Sequence, residues 1–326
     1  MSYTTILPSL ESLGLFYLPN LKGWWREEVV DENSSSINNH YVSHSFPRLS
    51  DLLIGGCPKL TFLPLSPNIE RMVVENNMWK PFQRAMQKIP ALKEASSSSS
   101  SLIPFSNLSC LMLYKIEDLK FLPEWLKNLT SLTDISVNAC RNLKCLSPGI
   151  QHLASSLQLL RIDECYQLDM SNAADEFTSL ALKSSLHSLV LINLPQLETL
   201  PLGLQHVTSL QRLQVKRCEN LIDIPEWISN FKSLHTLEFV KCYNLRSLPQ
   251  GLRQLTSLQK LKIKNCPVLY GRCQRETGED WPKVARVPEL ILRLGASTKP
   301  STSFSGCNWG ILNKFRISQF CNKGMS

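Results

Sequence analysis

Eleven cysteines and six histidines are the side chains of this 326-residue sequence best suited to metal binding or nucleophilic catalysis. Their spacing argues against both. No two cysteines stand in a C-x-x-C pair, so a zinc site has no paired ligands to start from. His40 and His44 are four residues apart, a metal-like interval on a helix, but they flank Tyr41 in a serine- and asparagine-rich stretch that reads as loop. His152 and His206 recur in QHL and QHV as repeat-variable residues. The phosphate-cradling patterns GxxxxGK[ST] and GxGxxG are absent, as are HExxH and GxSxG. The expectation is therefore no enzyme activity, no catalytic residue, no cofactor, no metal and no small-molecule substrate.

The cysteines have a different logic. Cys57, Cys140, Cys165, Cys218, Cys242 and Cys266 occupy one phase of an internal repeat. A cysteine that recurs at a buried phase serves as a small apolar filler, and in a reducing compartment such a column stays as thiols. From Leu210 the chain reads LQRLQVKRCENLIDIPEWISNFKS, and from Leu234 LHTLEFVKCYNLRSLPQGLRQLTS. Leu189, Leu213, Leu237 and Leu261 are separated by 24 residues each, as are Leu111 and Ile135. The shared pattern is LxxLxLxxCxxLxxLPxxLxxLxS, a leucine-rich repeat.

Each phase has a task. The segment xLxLx alternates with period two, as a half-buried strand does. The proline of LP suits the start of a short helix, where a missing N–H costs nothing. One unit cannot bury its own apolar side, but stacked units can. The predicted fold is an α/β repeat solenoid, a horseshoe with a parallel β-sheet on the concave face and short helices or irregular segments on the convex face, with about ten rungs. Residues 1–290 form this domain, with a cap at 266–290. Insertions at about 26–45, 78–104 and 169–184 are expected as surface excursions, the second ending in six serines, Ser96 to Ser101.

Charge is uneven. Residues 291–326 carry Arg293, Lys299, Lys314, Arg316 and Lys323 and no acid, which is five of the net +8. That segment reads as a basic, disordered tail. The repeat body is only mildly basic, and nucleic acid is not expected as a partner. The first residues lack a signal-peptide pattern, and no run of about 18 apolar residues exists to span a membrane. A soluble protein of the cytoplasm, with access to the nucleus, is the expectation.

The C-x-x-L-x-x-L-P phrase, Pro123-Glu124-Trp125 and Pro225-Glu226-Trp227, the recurring LTSL at 129–132 and the ending CPVLYGRCQRETGEDWPKVARVPEL at 266–290 resemble the C-terminal repeat region of plant coiled-coil, nucleotide-binding, leucine-rich-repeat disease-resistance proteins. The resemblance covers roughly residues 5–290. It implies a non-catalytic, protein-binding module of an intracellular immune receptor, acting in effector recognition or autoinhibitory contact. Its partner would be a pathogen effector or the nucleotide-binding switch domain, in cis or in trans. The coiled-coil and switch domains of that family have no counterpart in this sequence, so a truncated form or a stand-alone repeat protein is expected and no ADP or ATP chemistry carries over. The alternative is the substrate-recognition array of a ubiquitin ligase, whose repeats also carry CxxL but lack the LPxxL phrase.

Binding is expected on outward strand positions of the concave face. Tyr114 and Met112 mark a mixed apolar region on the early rungs, and Arg212, Lys216, Arg217, Lys241, Lys260, Lys262 and Lys264 mark a basic region on the late ones. The reading assigns the basic region to an acidic protein surface. Trp125 and Trp227 share a convex phase and are expected to pack over the LP turn.

Overall fold

The structure is a computed structural model that describes residues 7–22, 46–60, 63, 66–95, 104–171 and 185–295. Eleven five-residue strands form one parallel sheet in sequence order. They are β1 Ser12–Phe16, β2 Asp51–Gly55, β3 Arg71–Glu75, β4 Cys110–Tyr114, β5 Asp134–Asn138, β6 Leu159–Asp163, β7 Ser188–Ile192, β8 Arg212–Lys216, β9 Thr236–Val240, β10 Lys260–Lys264 and β11 Glu289–Arg293. The 24-residue interval appears directly as register, with Leu189, Leu213, Leu237 and Leu261 side by side on four neighbouring strands. This is a leucine-rich-repeat solenoid.

The second and fourth residues of each strand point inward. Leu213, Val215, Leu237, Phe239, Leu261 and Ile263 are all fully buried. Inside the strand-to-turn corner, Cys140, Cys165, Cys218, Cys242 and Cys266 are fully buried as well. Burial pushes the Cys140 thiol up to about 12 and the Cys218 thiol to about 11, so both remain neutral. They act as small core residues, not as nucleophiles.

One residue after most of the strands, though not after β3 or β11, the chain turns out of the sheet in a left-handed conformation. Lys115, Ala139, Glu164, Asn193, Arg217, Lys241 and Asn265 have φ between 50° and 59°. The turn lets the backbone N–H reach the next rung. Arg217 N donates to Val240 O at 2.7 Å and Lys241 N to Lys264 O at 2.8 Å. A side chain in this region costs about 1–2 kcal/mol per residue, and at Lys115, Ala139, Glu164, Asn193, Arg217, Lys241 and Asn265 an inter-rung hydrogen bond accompanies that cost.

On the opposite side, 3-10 turns at Glu124–Asn128, Leu202–His206, Glu226–Asn230 and Gln250–Gln254 follow the prolines. Each proline takes the position before the turn in an extended conformation, one residue earlier than the sequence pattern suggests. The turns stack closely. A Cβ on Gly251 would stand 2.5 Å from the backbone oxygen of Glu226, and one on Gly149 would stand 2.7 Å from that of Leu122. The Glu226 carboxylate also accepts from Gln250 N at 3.0 Å and Gly251 N at 2.7 Å, capping the turn of the next rung. The closing serine of the repeat phrase ties rungs together, with Ser209 Oγ donating to Leu186 O at 2.8 Å and Ser257 Oγ to Leu234 O at 2.9 Å.

Two expectations need revision. The segment from 78 does not begin as a surface excursion. Residues Asn76–Ala95 form helix α1, whose Met78, Trp79, Phe82, Met86 and Ile89 join the core. Trp79 and Phe82 pack on Trp125 with ring centroids 5.7 and 5.4 Å apart. Pro81 and Pro90 inside the segment disguise the helical period in the sequence. Second, the sheet does not stop at 290. Strand β11 reaches Arg293, in register with β10, so residues 291–293 are not tail. The described residues hold eleven rungs, in line with the expected count of about ten. The expected insertion at 26–45, with His40 and His44, lies outside the described residues, as do residues 96–103, 172–184 and 296–326.

The GEDWPK motif of the cap has a physical role. Asp280 is fully buried. It accepts from Arg272 Nε at 3.0 Å and from Leu248 N at 3.0 Å, and it pairs with Lys283 at 2.7 Å. Lys283 Nζ in turn donates to Leu248 O at 2.5 Å. Burial pushes the Asp280 carboxyl up, but the hydrogen bonds from Arg272, Lys283 and Leu248 outweigh it and hold the group below the usual carboxylate range.

Two outcomes follow. Gly251→Ala should cost about 1–3 kcal/mol in urea unfolding, because backbone must move to admit the methyl. Asp280→Asn should cost about 3–5 kcal/mol, since it breaks a buried ion pair from one side. A carboxyl held low in the fold stabilises it at neutral pH and loses that contribution as acid protonates it. The wild type should therefore lose stability on acidification more steeply than the Asn variant.

Candidate protein-binding face

Outward side chains of the strands form three columns along the sheet. The first runs through Cys110, Asp134, Leu159, Ser188, Arg212, Thr236 and Lys260. The central one runs through Val73, Met112, Ser136, Arg161, Val190, Gln214, Glu238 and Lys262, and the third through Tyr114, Asn138, Asp163, Ile192, Lys216, Val240, Lys264 and Arg293.

The central column is far less accessible than alternation alone predicts. Val73, Met112, Ser136, Val190 and Glu238 are all buried, Met112 to 2% exposure. Neighbouring strands lie about 4.8 Å apart, so a central side chain is enclosed by two rungs and by the outer columns of its own strand. Met112 is therefore corrected from contact residue to filler of the outer face. Tyr114 stays half-buried at the column's edge, with Lys115 Nζ 5.0 Å from its ring centroid.

The basic region is also rearranged. Arg212, Lys216, Lys260, Lys262 and Lys264 stand in the outward columns as expected. Arg217 and Lys241 do not. They occupy the left-handed positions that follow β8 and β9, which places them on the lip formed by the strands' C-terminal ends. Three of the lysines are internally paired. Glu238 lies 3.7 Å from Lys216 and 3.5 Å from Lys262, and Glu289 lies 2.6 Å from Lys260. Burial lowers the pKa of Lys216; Glu238 opposes this, and Lys262 and Arg161 add to it.

A second charged pair sits on β6, where Arg161 Nη2 donates to the Asp163 carboxylate at 2.8 Å. Burial raises the Asp163 pKa, and Arg161 works against that rise. Asn138, fully enclosed at 4% exposure, reaches the same carboxylate at 3.5 Å.

Sequence reasoning missed Glu289 and Arg293 as parts of this face, and missed the pairing of Glu238 with Lys216 and Lys262. Glu238 was visible as the one acid in the central column of the late rungs. The alternation of ELILR at 289–293 was the signal for an additional strand. Among the described residues, no group of three His, Cys, Asp or Glu side chains is placed to hold a metal ion, and no helix is long and apolar enough to cross a membrane.

Residues 203–266 match the family described as R13L1/DRL21 leucine-rich repeats. A probable disease resistance protein of Arabidopsis thaliana is 27% identical over 228 residues, covering 68% of this chain and 20% of that protein. The chain thus spans about a fifth of that relative's length. Among solved structures, the leucine-rich repeat domain of the type III effector XopL aligns over 69% of each chain, with 19% identity and a TM-score of 0.46. The leucine-rich-repeat ectodomain of the Arabidopsis thaliana receptor kinase GASSHO1/SCHENGEN3 aligns over 67% of this chain and 33% of its own, with 16% identity and a TM-score of 0.24. The repeat region is similar to that of plant disease-resistance proteins.

The Arg161 pair gives a direct test of the electrostatics. Arg161→Ala removes the group that opposes desolvation, so the Asp163 carboxyl should titrate at higher pH than in the wild type. Carbon-13 NMR of the labelled carboxyl reads the direction.

Proposed function

We propose that the chain is a non-catalytic, protein-binding repeat module of a plant intracellular immune receptor. In this reading it works in the cytoplasm. Its concave face contacts either a pathogen effector or a nucleotide-binding switch domain.

One coincidence carries the reading. The stretch that matches disease-resistance repeats, 203–266, also holds Arg212, Lys216, Arg217, Lys241, Lys260, Lys262 and Lys264. Charge concentrated there suits an acidic protein partner, because complementary charge raises the association rate and rejects wrong partners. The first column supplies Arg212, which is exposed and outside any ion pair among the described residues. Such a group can meet a partner without first giving up an internal contact.

The full chain mixed with the switch domain of a coiled-coil disease-resistance protein should form a complex in calorimetry. The double variant Arg212→Glu, Lys260→Glu should weaken it about tenfold, given that each reversal replaces an attraction by a repulsion across the interface. An unchanged affinity, or no complex with any switch domain or effector tested, would overturn the proposal.

A further inference from the structure

Resolving which cations are already paired changes where an acidic partner would lie. Lys216 and Lys262 are held by Glu238, and Lys260 is held by Glu289. Arg217, Lys241, Lys264 and Arg293 make no ion pair among the described residues. These four belong to four consecutive rungs, β8 to β11, and all stand at the C-terminal ends of the strands. Lys264 and Arg293 are paired in register as the last residues of β10 and β11. Arg217 and Lys241 follow the last residues of β8 and β9, and their N–H groups bond to Val240 O and Lys264 O at 2.7 and 2.8 Å. Three of the four are exposed and Lys241 is half-buried.

We propose that this lip is a docking track for an extended acidic segment of a partner protein, running across the strands, and that Glu238 is a built-in charge that limits how tightly the segment binds. The proposal rests on the protein-binding reading given above. Its geometry is that of the rungs. Four rungs about 4.8 Å apart span about 14 Å, and an extended chain sets same-side residues about 6.6 Å apart. About five residues with acids at alternate positions therefore match the track. The long, flexible arms of arginine and lysine take up the difference between the two intervals.

Glu238 supplies the second part. It is 8% exposed and fixed between two lysines. Its negative charge sits one column in from the lip, inside the reach of electrostatics at physiological salt, about 8 Å. It repels an incoming acid and keeps Lys216 and Lys262 engaged. A nucleic acid fits less well. Strong phosphate binding uses about 6–10 contacts, and the track offers four unpaired cations beside a fixed carboxylate.

The test uses the full chain and three fluorescent probes of equal length: a peptide alternating glutamate and serine, one alternating glutamine and serine, and a single-stranded oligonucleotide. Anisotropy should show the acidic peptide binding and weakening with salt, the neutral peptide not binding, and the oligonucleotide binding more weakly than the acidic peptide. Lys241→Glu with Lys264→Glu should lower the acidic peptide's affinity about tenfold, and Glu238→Gln should raise it severalfold. Circular dichroism confirms that each variant is folded, and all these substitutions except Glu238→Gln lie at exposed or half-buried sites.

The lip is overturned by any of four results: an acidic peptide that does not bind, an affinity indifferent to the lip reversals, an oligonucleotide that binds more tightly, or a Glu238→Gln variant that binds no better. Loss of peptide only in Arg212→Glu, Lys260→Glu would overturn the lip while supporting the broader concave-face reading. Retained peptide binding with no protein complex would overturn the receptor reading and leave the lip standing.

Discussion

Parallel strands must hydrogen-bond at a fixed separation of about 4.8 Å, and the rest of each rung has to fit inside that interval. The corner cysteine is small because the interior at the turn out of the strand is narrow. Gly251 and Gly149 carry no Cβ because the convex backbones of adjacent rungs come too close to admit one. The left-handed residue that follows most strands turns its N–H toward the carbonyl of the following rung, as at Lys115, Arg217 and Lys241. These features recur together because one separation imposes them all.

The same separation governs the outer face. Alternation divides residues into inward and outward sets, yet it does not say how much of an outward side chain remains accessible. Where rungs crowd, a central-column residue such as Met112 or Ser136 is enclosed almost as fully as a core leucine. Long side chains escape by extending their tips, and partial burial makes their charges matter more. Lys216 is pulled toward neutrality by desolvation and held charged by Glu238, and Asp163 is pushed up by burial against the pull of Arg161. A surface read as a simple excess of lysine is therefore a set of internal pairs bordered by a few unpaired cations.

The leucine interval made the sheet, its register and the buried cysteine column readable from the sequence, because each is a direct consequence of period. Helix α1 was not readable. It occurs once, so no repetition exposes it, and Pro81 and Pro90 mimic a break. Its tryptophan and phenylalanine bury Trp125, which the sequence could assign to packing but not to a partner. Arg293 was misplaced because basic composition outweighed the short alternation of ELILR. Side-chain pairing was beyond reach altogether. Whether Lys262 faces solvent or Glu238 depends on distances between rungs, and a single chain of letters records positions along the strand only.

Regularity itself bears on recognition. Between β7 and β10 the interval is an unvarying 24 residues, whereas the earlier rungs are interrupted by α1 and by segments of irregular length. A regular stack places successive side chains at equal steps on a backbone whose every strand end is tied to the next by a hydrogen bond. Groups held on such a scaffold lose little freedom when a partner arrives, so a weak charge pair yields more net affinity there than on a loop. At its end, the cap's Asp280 cluster fastens Arg272 and Lys283 to Leu248, between β9 and β10. The cap thus keeps the last rungs in step with one another, and the late half of the sheet is where evenly spaced charge can be used for recognition.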